Sequence, residues 1–408
     1  MKILLISDYF YPFTPGGAEW SVYELAKALK VKKIDPVIAT INYGALALDN
    51  YRGLRIRRIP FLKKLTRKRS IVNPIWQNNP VFFLISAYFL IKYTREEHPD
   101  ILHVHGKFLI PASIIAGLFT KKPVIITIRD KQILCSWGKC FFEKDRYNAC
   151  GWKEYLTVDL NWYYQNYVKS KNLAKLVYTY ISAIWTRLSF WIIVLFAKRA
   201  DVIIAISQSQ KRYLTANGFE KVEMIYNISH FSLPQIKPAK SKTILFVGKL
   251  SIGKGGLEFI EAIPKVLKKL KATFIVAGTL DLKDQVEKIK FLGAVEHQKL
   301  SNLYKNSSVV VMPSIYPEAF GRVALEAVSA GTPVIVSNRG ALPEIIEDKK
   351  TGRVIEVTSD KLEKAIIDVV DEEFTYRKNI KESYQKLIRK FYEEPVEKHL
   401  QLYQRLTI

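Results

Sequence analysis

Cysteine is scarce in this chain of 408 residues, which contains only Cys135, Cys140 and Cys150. So few thiols exclude the disulfide framework typical of small secreted proteins. The three are spaced C-x4-C-x9-C. With a fourth ligand from elsewhere they could hold zinc, although the spacing does not match a usual zinc knuckle. We interpret them as reduced structural cysteines, predict no bound metal, and keep a zinc site as the alternative.

Long uncharged apolar runs are also few. The N-terminal segment MKILLISDYF is too short for a signal peptide and predicts a first β-strand. The segment from Tyr155 to Arg199 is rich in Trp and Tyr, but Arg187 leaves only Leu188 to Ala197 uncharged. That is short of the roughly 20 residues that a spanning helix needs. Two interpretations remain open, a buried helix with an aromatic face and a helix lying in a membrane interface.

Acidic residues are comparatively few. The chain contains 38 Asp and Glu against 63 Lys and Arg, so the formal net charge is +25. Such a surface favours anionic partners, among them nucleotide diphosphates, anionic lipids and nucleic acids. No RNA-recognition, helix-turn-helix or zinc-finger pattern accompanies the basic residues, so we predict no nucleic-acid partner. The segment FLKKLTRKR, residues 61–69, is a charge run of a kind that is usually solvated. Beside an apolar patch it would suit anionic lipid headgroups.

Short apolar runs alternate with longer amphipathic stretches, which is the pattern of βαβ units. A stretch without periodicity, residues 228–242, separates two cycles of this pattern. We therefore predict an α/β protein of two Rossmann-like, doubly wound domains, residues 1–228 and 243–390, with ligands outside the carboxyl ends of the strands. Strands are predicted at 2–6, 36–40, 101–104, 124–127, 202–206, 243–247, 273–277, 309–312 and 334–336. A C-terminal helix is predicted from Asp371 to Leu406.

The segment after the strand at 309–312 contains two glutamates eight residues apart, Glu318 and Glu326. A helix beginning near Phe320 would place Glu326 two turns in and Glu318 in the preceding loop. Backbone N–H groups at a helix N-terminus form an anion site, so a nucleotide diphosphate fits here with a carboxylate on either side. The residues that would form this site are Ala319, Phe320, Gly321 and Arg322.

The sequence VGKLSIGKGG follows the strand at 243–247. Gly248 allows the backbone to turn, and Lys249 and Lys254 can direct cations at a diphosphate. The same letters nearly match the P-loop pattern of kinases and ATPases. Gly255, however, replaces the Ser or Thr that would hold Mg²⁺, which argues against that alternative.

Two features mark the first half of the chain. Gly16 and Gly17 stand between the first strand and the first helix, where a tight turn can bring backbone N–H groups to a ligand or serve only as a connection. His103 and His105 lie at the end of the strand at 101–104, on one strand face. A zinc site is not supported, since no second ligand pair accompanies them.

Taken together, these segments resemble family 4 glycosyltransferases (glycosyl transferases group 1) of the GT-B fold, in which two Rossmann-like domains face each other across a cleft. The features that carry the resemblance are the Glu-x7-Glu pair, the Gly-Arg-x4-Lys-Gly loop, the Gly-Gly-x-Glu loop and the His-x-His segment. Two positions depart from the family: Lys249 replaces the usual Arg, and Arg129 stands where many relatives have His before Asp. Arg129 could bind an anionic acceptor or a phosphate.

The resemblance implies a role for each motif. Glu318 would contact the donor sugar and Glu326 the nucleotide ribose, with Lys249 and Lys254 on the diphosphate. His105 would lie near the donor sugar and the acceptor hydroxyl, and the Gly-Gly loop would contact the donor. The residues expected to be catalytic are His105, Glu318 and Lys254, and those expected to bind the donor are Gly16, Gly17, Gly248, Lys249, Lys254, Glu318, Ala319, Phe320, Gly321, Arg322 and Glu326.

The implied function is retaining transfer from a nucleotide-diphosphate sugar to a saccharide or lipid-linked acceptor, without cofactor or metal. We expect a cytoplasmic protein, peripheral on the cytosolic membrane face, whose residues 391–408 pack back on the N-terminal domain. Two alternatives remain: a sugar-nucleotide-binding protein without transferase activity, and a GT-B epimerase or phosphorylase.

Overall fold

The computed structural model describes residues 1–14, 16–66, 72–130, 133, 151–168, 172–229, 231, 234, 236–280 and 288–407. The three cysteines and residues 67–69 of the basic segment lie outside this part of the chain. The chain divides into two compact units. Unit 1 comprises Met1–Ile228 and Pro395–Ile408, and unit 2 comprises Ser229–Glu394. The sequence-based boundaries were 228, 243 and 390.

Unit 1 is built on an eight-stranded sheet of order β3-β4-β2-β1-β5-β6-β7-β8. All neighbouring strands are parallel except β3 and β4, which form an antiparallel hairpin at the edge. Every predicted strand of the first half is present, and β4 and the two edge strands β3 and β8 are additional. The strands are β1 (Lys2–Ser7), β2 (Asp35–Ile41), β3 (Leu48–Tyr51), β4 (Leu54–Ile59), β5 (Ile101–Val104), β6 (Val124–Ile128), β7 (Val202–Ala205) and β8 (Val222–Met224).

Unit 2 is built on a six-stranded, wholly parallel sheet of order β11-β10-β9-β12-β13-β14. Its apolar strands are buried because helices cover the sheet, which explains their continuous rather than alternating hydrophobicity. The four predicted strands are present, and β11 and β14 are additional. The strands are β9 (Thr243–Val247), β10 (Thr273–Ala277), β11 (Ile289–Gly293), β12 (Val309–Met312), β13 (Val334–Ser337) and β14 (Gly352–Ile355).

Helices connect the strands of both sheets. In unit 1 they are α1 (Ala18–Val31), α2 (Pro80–Glu97), α3 (Ile110–Thr120), α4 (Trp152–Glu154), α5 (Leu160–Tyr163), α6 (Leu173–Ala197) and α7 (Gln208–Ala216). In unit 2 they are α8 (Gly256–Lys269), α9 (His297–Lys305), α10 (Arg322–Ser329), α11 (Leu342–Ile345), α12 (Ser359–Asp371), α13 (Glu373–Glu382) and α14 (Tyr384–Ile388); α15 (Glu394–Thr407) ends the chain.

The order of strands reverses once in each sheet. The chain runs from β1 to β2 on one side and returns to β5 on the other, and it runs likewise from β9 to β10 and back to β12. In open α/β sheets ligands bind outside the carboxyl ends of the strands at such a switch point. The loops after β1 and β5 in unit 1, and after β9 and β12 in unit 2, are therefore where binding residues are expected.

The prediction of one helix from Asp371 to Leu406 is wrong. The backbone leaves helical geometry at Glu372 (φ −100°, ψ 19°), and a π-helical turn at Arg389–Glu393 separates α14 from α15. Pro395 accounts for the second of these breaks, because it has no N–H to donate to the carbonyl of Phe391 four residues earlier. That carbonyl accepts instead from the N–H of Ser229, at 3.3 Å.

The interpretation of the Tyr155–Arg199 region as a buried helix is also wrong. The region contains α6, whose 25 residues are long and apolar enough to cross a membrane by length and composition. Only 28% of its most apolar 18-residue stretch is buried. Arg187 does not interrupt α6, and its guanidinium lies over the ring of Tyr155, 5.0 Å from the centroid.

Candidate active site

In unit 2 the loop after β9 lies against the loop after β12. Gly255 adopts φ +71°, and a Cβ atom there would lie 1.9 Å from the carbonyl oxygen of Pro313, so glycine is required for this approach. Gly248 (φ +126°) opens the same loop with free space around it. The side chain of Lys249 is exposed on this loop. The close approach places Lys254 beside the residues that follow β12.

The carboxylate of Glu318 joins these two loops. Lys254 Nζ forms an ion pair with Glu318 Oε1, and the hydroxyl of Ser314 donates to the same oxygen at 2.7 Å. The Glu318 side chain is 13% exposed and that of Lys254 is 38% exposed, so the pair remains accessible from solvent. The structure thus brings together Glu318 and Lys254, which the sequence placed 64 residues apart.

Helix α10 begins at Arg322, two residues later than predicted. Gly321 precedes it in the left-handed region (φ +105°), and a Cβ atom there would lie 2.5 Å from Leu342 Cδ2. Ala319 and Phe320 are buried in the turn before the helix. As a result Glu326 lies one turn into the helix, not two.

Glu326 is the acceptor of a partly buried hydrogen-bond cluster. Arg322 Nε donates to its Oε1 at 2.6 Å, His297 Nε2 lies 2.9 Å from the same oxygen, and the hydroxyl of Tyr304 donates to Oε2 at 3.0 Å. Burial alone would raise the pKa of this carboxyl. The Arg322 charge and the His297 contacts outweigh burial and lower the pKa to about 2. Glu326 is therefore ionised throughout the physiological pH range.

In unit 1 the loops after β1 and β5 enclose a cavity of about 470 Å³, lined by polar residues that include Asp8, Glu19, His105, Lys107, Arg129 and Asp130. Asp8 follows β1 directly. Its carboxylate accepts from the N–H groups of Phe108 and Leu109, each at 3.2 Å. Burial raises the pKa of Asp8 to about 7 despite these bonds. A Cβ atom on Gly106 would lie 2.3 Å from the Asp8 backbone nitrogen, so the two loops touch.

The Gly-Gly turn lies at the rim of this cavity. The N–H of Gly16 donates to Glu19 Oε2 at 3.0 Å, and Gly17 is the N-cap residue of α1. Gly16 and Glu19 line the cavity, whereas Glu19 is itself buried, at 7% exposure. The Gly-Gly-x-Glu sequence thus forms a closed turn whose glutamate holds its own backbone.

The protonation of His105 is fixed by a neighbour. Arg129 Nη2 lies 2.8 Å from His105 Nδ1, and a guanidinium N–H can only donate. Nδ1 is therefore the acceptor, and the proton of the neutral ring is on Nε2. Nε2 is buried and has no hydrogen-bond partner among the described residues. Burial, His103 and Arg129 together hold the pKa of His105 well below its usual value, so the ring is neutral.

His103 has a structural position. Its Nδ1 lies 2.7 Å from the hydroxyl of Tyr403 in α15, and its Nε2 lies 2.7 Å from the hydroxyl of Thr127 in β6. Both ring nitrogens are thereby occupied, and the side chain is fully buried.

Several site residues were missed by sequence reasoning. Asp8 could have been found from its position directly after the first strand, at the switch point. His297 and Tyr304 lie 29 and 22 residues from Glu326, and no pattern in the sequence indicates that α9 packs beside it. The Arg129–His105 contact joins the ends of two neighbouring strands, which the predicted strand list alone does not pair.

Two family models match the chain, one described as Glycosyltransferase Family 4 over residues 15–228 and one as glycosyl transferases group 1 over residues 231–387. The first alone spans slightly more than half of the chain. The chain belongs to the group 1 glycosyltransferases. This glycosyltransferase is 38% identical over 368 residues to an uncharacterized glycosyltransferase of Methanocaldococcus jannaschii, a match that covers 86% of this chain and 84% of the relative. The predicted family is confirmed.

A shorter match is to a phosphatidyl-myo-inositol mannosyltransferase of Mycobacterium leprae, 30% identical over 167 residues, or 37% of this chain and 45% of that protein. Among solved structures, sucrose-phosphate synthase from Thermosynechococcus elongatus has a TM-score of 0.70 at 19% identity, covering 99% of this chain and 98% of its own. An Anabaena protein, HepE, in complex with UDP-glucose, has a TM-score of 0.66 at 17% identity, covering 99% of each chain. These likenesses confirm the predicted GT-B fold of this glycosyltransferase.

Proposed function

We propose that this glycosyltransferase moves a sugar from a nucleotide-diphosphate sugar to a saccharide or lipid-linked acceptor, with retention of configuration and without a metal ion. It would act in the cytoplasm, at the cytosolic face of a membrane. The observation that carries the proposal is the Lys254–Glu318 ion pair at the β9/β12 switch point, beside the start of α10. A cation, a carboxylate and a helix N-terminus at one sheet edge suit a diphosphate attached to a polyhydroxylated group.

The donor would be held by residues of unit 2. Its diphosphate would form ion pairs with Lys249 and Lys254 and accept hydrogen bonds from the backbone N–H groups before α10. Glu318 would accept a hydrogen bond from a sugar hydroxyl. Glu326 is already ionised and fixed by its neighbours. A carboxylate has about four acceptor positions and three are used in the structure, so one remains for a ribose hydroxyl.

The chemistry follows from these charges. The bond between the anomeric carbon and the diphosphate oxygen breaks, and the acceptor oxygen bonds to the same face of that carbon. The acceptor proton passes to the departing phosphate oxygen, so no protein nucleophile is needed. Lys249 and Lys254 would stabilise the negative charge that develops on the leaving group.

The unit 1 cavity would bind uncharged hydroxyl groups of the sugar or the acceptor. His105 presents an Nε2–H donor that has no partner in the part of the chain that the structure describes, and a sugar or acceptor hydroxyl would satisfy it. Arg129 would act as a positioning residue, because it fixes the tautomer of His105 and opposes protonation of the ring.

The similar proteins support this assignment without establishing it for this chain. The Anabaena structure contains UDP-glucose, and the mycobacterial relative is named for a lipid acceptor. A nucleotide sugar donor and a lipid-linked acceptor are the corresponding proposals here.

The test is a thermal-shift titration with UDP, GDP, ADP and their sugar conjugates. We expect stabilisation by one nucleotide, and its loss in Lys254→Ala and Glu326→Ala. Lys299→Ala is the matched control, since this lysine is in the same unit with a 73% exposed side chain. Stabilisation by none of the nucleotides would contradict a donor site. Binding without transfer to any acceptor would favour the sugar-nucleotide-binding alternative, and NMR of the product anomer would test retention.

A further inference from the structure

Helix α6 exposes a continuous apolar face. Nine large hydrophobic side chains on it are at least 40% exposed, including Ile181 at 62% and Trp191 at 60%. They recur at intervals of three and four residues, so they lie on one side of the helix. The nine are Leu173, Val177, Tyr178, Ile181, Ile184, Trp185, Leu188, Trp191 and Leu195.

Two neighbouring helices extend this apolar surface. Helix α3 packs against both α2 and α6, and it exposes Leu118 at 68% and Phe119 at 69%. Helix α2 exposes four more large hydrophobic side chains, again spaced by three and four residues: Val81, Leu84, Ile85 and Tyr88. We call these fifteen side chains the α2–α3–α6 surface. A solvent-exposed apolar area of this extent indicates an interaction site.

Among the described residues, the charged side chains beside this surface are mostly basic. Helices α3 and α6 contain no Asp or Glu, and α2 contains none before Glu96. Exposed cations lie among and beside the apolar side chains: Lys92, Lys121, Lys175, Lys198 and Arg199. The combination of exposed Trp and Tyr, aliphatic side chains and cations matches the interface of an anionic bilayer.

The inner side of α6 reaches the unit 1 cavity. Phe190 of α6 packs on Phe108, with ring centroids 6.4 Å apart, and Lys107 Nζ lies 5.2 Å from the Phe190 centroid. Phe108 and Lys107 line the cavity that holds His105. The exposed face of α6 is therefore one helix thickness from the cavity wall.

We propose that the α2–α3–α6 surface docks on an anionic lipid bilayer, with α6 lying in the interface and the His105 cavity held at headgroup level. This inference deepens the proposed function, on which it rests for the lipid-linked acceptor. Helix α6 lies in the interface and does not cross the bilayer, because Ala183, Phe190 and Ile193 on its other side are buried in unit 1. A second copy of the chain fits less well, since two such surfaces would bring like charges together.

The experiment is flotation of the full chain with two kinds of vesicle. One contains phosphatidylcholine alone, and the other also contains phosphatidylglycerol, whose anionic headgroups attract basic surfaces. We expect binding to the anionic vesicles, weakened by high salt. The double variant Ile181→Glu and Trp191→Glu should lower the bound fraction by more than about ten-fold, because it places two charges in the apolar interface. Phe374→Glu, at a residue 57% exposed in unit 2, is the matched control and should bind like the wild type.

Equal binding by the double variant, or no binding by the wild type, would overturn the proposal. A wild-type dimer in light scattering that becomes monomeric in the double variant, without vesicle binding, would show that a second copy covers the surface instead. Nucleotide stabilisation in thermal shift should be unchanged in the double variant. That measurement does not depend on the α2–α3–α6 surface, so it separates failure of this inference from failure of the donor site.

Discussion

The two switch points of this glycosyltransferase treat ionisable groups in opposite ways. In unit 2 Glu318 forms an ion pair with Lys254, and Arg322 and His297 lower the pKa of Glu326 to about 2, so this carboxylate stays ionised. In unit 1 burial favours the neutral forms of His105 and Asp8. The pKa of His105 is held well below its usual value, and that of Asp8 is raised to about 7.

This difference matches the chemistry proposed for each unit. A diphosphate carries charge that fixed cations must neutralise, and an ionised carboxylate is a strong acceptor for hydroxyls. A hydroxyl group that approaches an anomeric carbon is neutral, and a buried ammonium or imidazolium beside it would disfavour the positive charge that develops on the sugar. The same fold thus provides one site with an ionised carboxylate, Glu326, and one site in which burial favours the neutral forms of His105 and Asp8, and variants that exchange these characters test the assignment.

The largest effect is expected from Lys254→Ala. Removing one fixed charge from the leaving group should lower kcat for release of the nucleotide diphosphate from the donor by about 100-fold to 1,000-fold. The measurement is steady-state release of nucleotide with saturating donor. Lys299→Ala should retain full activity. An unchanged kcat in Lys254→Ala would mean that the charged site of unit 2 does not act on the leaving group.

Glu326→Gln should have a smaller effect that falls on donor binding. The amide keeps the shape but loses the charge that Arg322 and His297 hold, and it offers one acceptor oxygen instead of two. We expect the KM for the donor to rise by about ten-fold with kcat reduced less, consistent with loss of one hydrogen bond to a charged group, about 1.5–3 kcal/mol at most. A fall in kcat alone would place Glu326 at the reacting bond instead of the nucleotide.

Arg129→Ala tests the neutral character of the unit 1 site. Burial and His103 would still lower the pKa of His105, but the charge of Arg129 would be gone, so this pKa should rise. Because the neutral ring is the active form, the acid limb of the kcat/KM profile should move to higher pH. Arg129→Lys keeps a cation near the ring and should return the acid limb most of the way to its wild-type pH. An acid limb that does not move would indicate that Arg129 has a structural role only.

The fold was largely predictable, because buried parallel strands give short apolar runs and the strands at 2–6, 243–247 and 309–312 have that pattern. The GT-B fold and the family are confirmed. The roles of the site residues remain predictions. Edge strand β11 was missed because three of its five residues are exposed and include Lys290, so its sequence has no continuous apolar run.

What could not be predicted depends on contacts between distant segments. The exposure of α6 is one case, since an apolar helix has the same sequence whether protein or lipid covers it. The helical break at the end of the chain is another. The carbonyl that Pro395 leaves without a helical donor accepts from Ser229, far away in the sequence.

The last effect expected is on stability in mild acid, and it tests the buried ionisable groups of unit 1 together. His103, His105 and His399 are buried, and burial is the main cause that lowers the pKa of each, that of His399 to about 4. An unfolded histidine titrates near about 6.5, so below that pH the unfolded chain binds more protons and the free energy of unfolding falls as pH falls. Each histidine contributes up to about 1.4 kcal/mol per pH unit to the slope of the free energy of unfolding against pH.

Asp8 acts in the opposite direction over the same range. Its folded pKa of about 7 exceeds the unfolded value of about 3.9, so it favours the folded state more as pH falls from 7. The net slope between pH 6.5 and 5 should therefore equal that of about two histidines, measured by denaturant unfolding at several pH values. His399→Gln should reduce the slope by about half, whereas His98→Asn, at an exposed residue with φ 49°, should not change it. A flat profile in the wild type would mean that these histidines are protonated in the folded protein, and the contrast between the two switch points would then be lost.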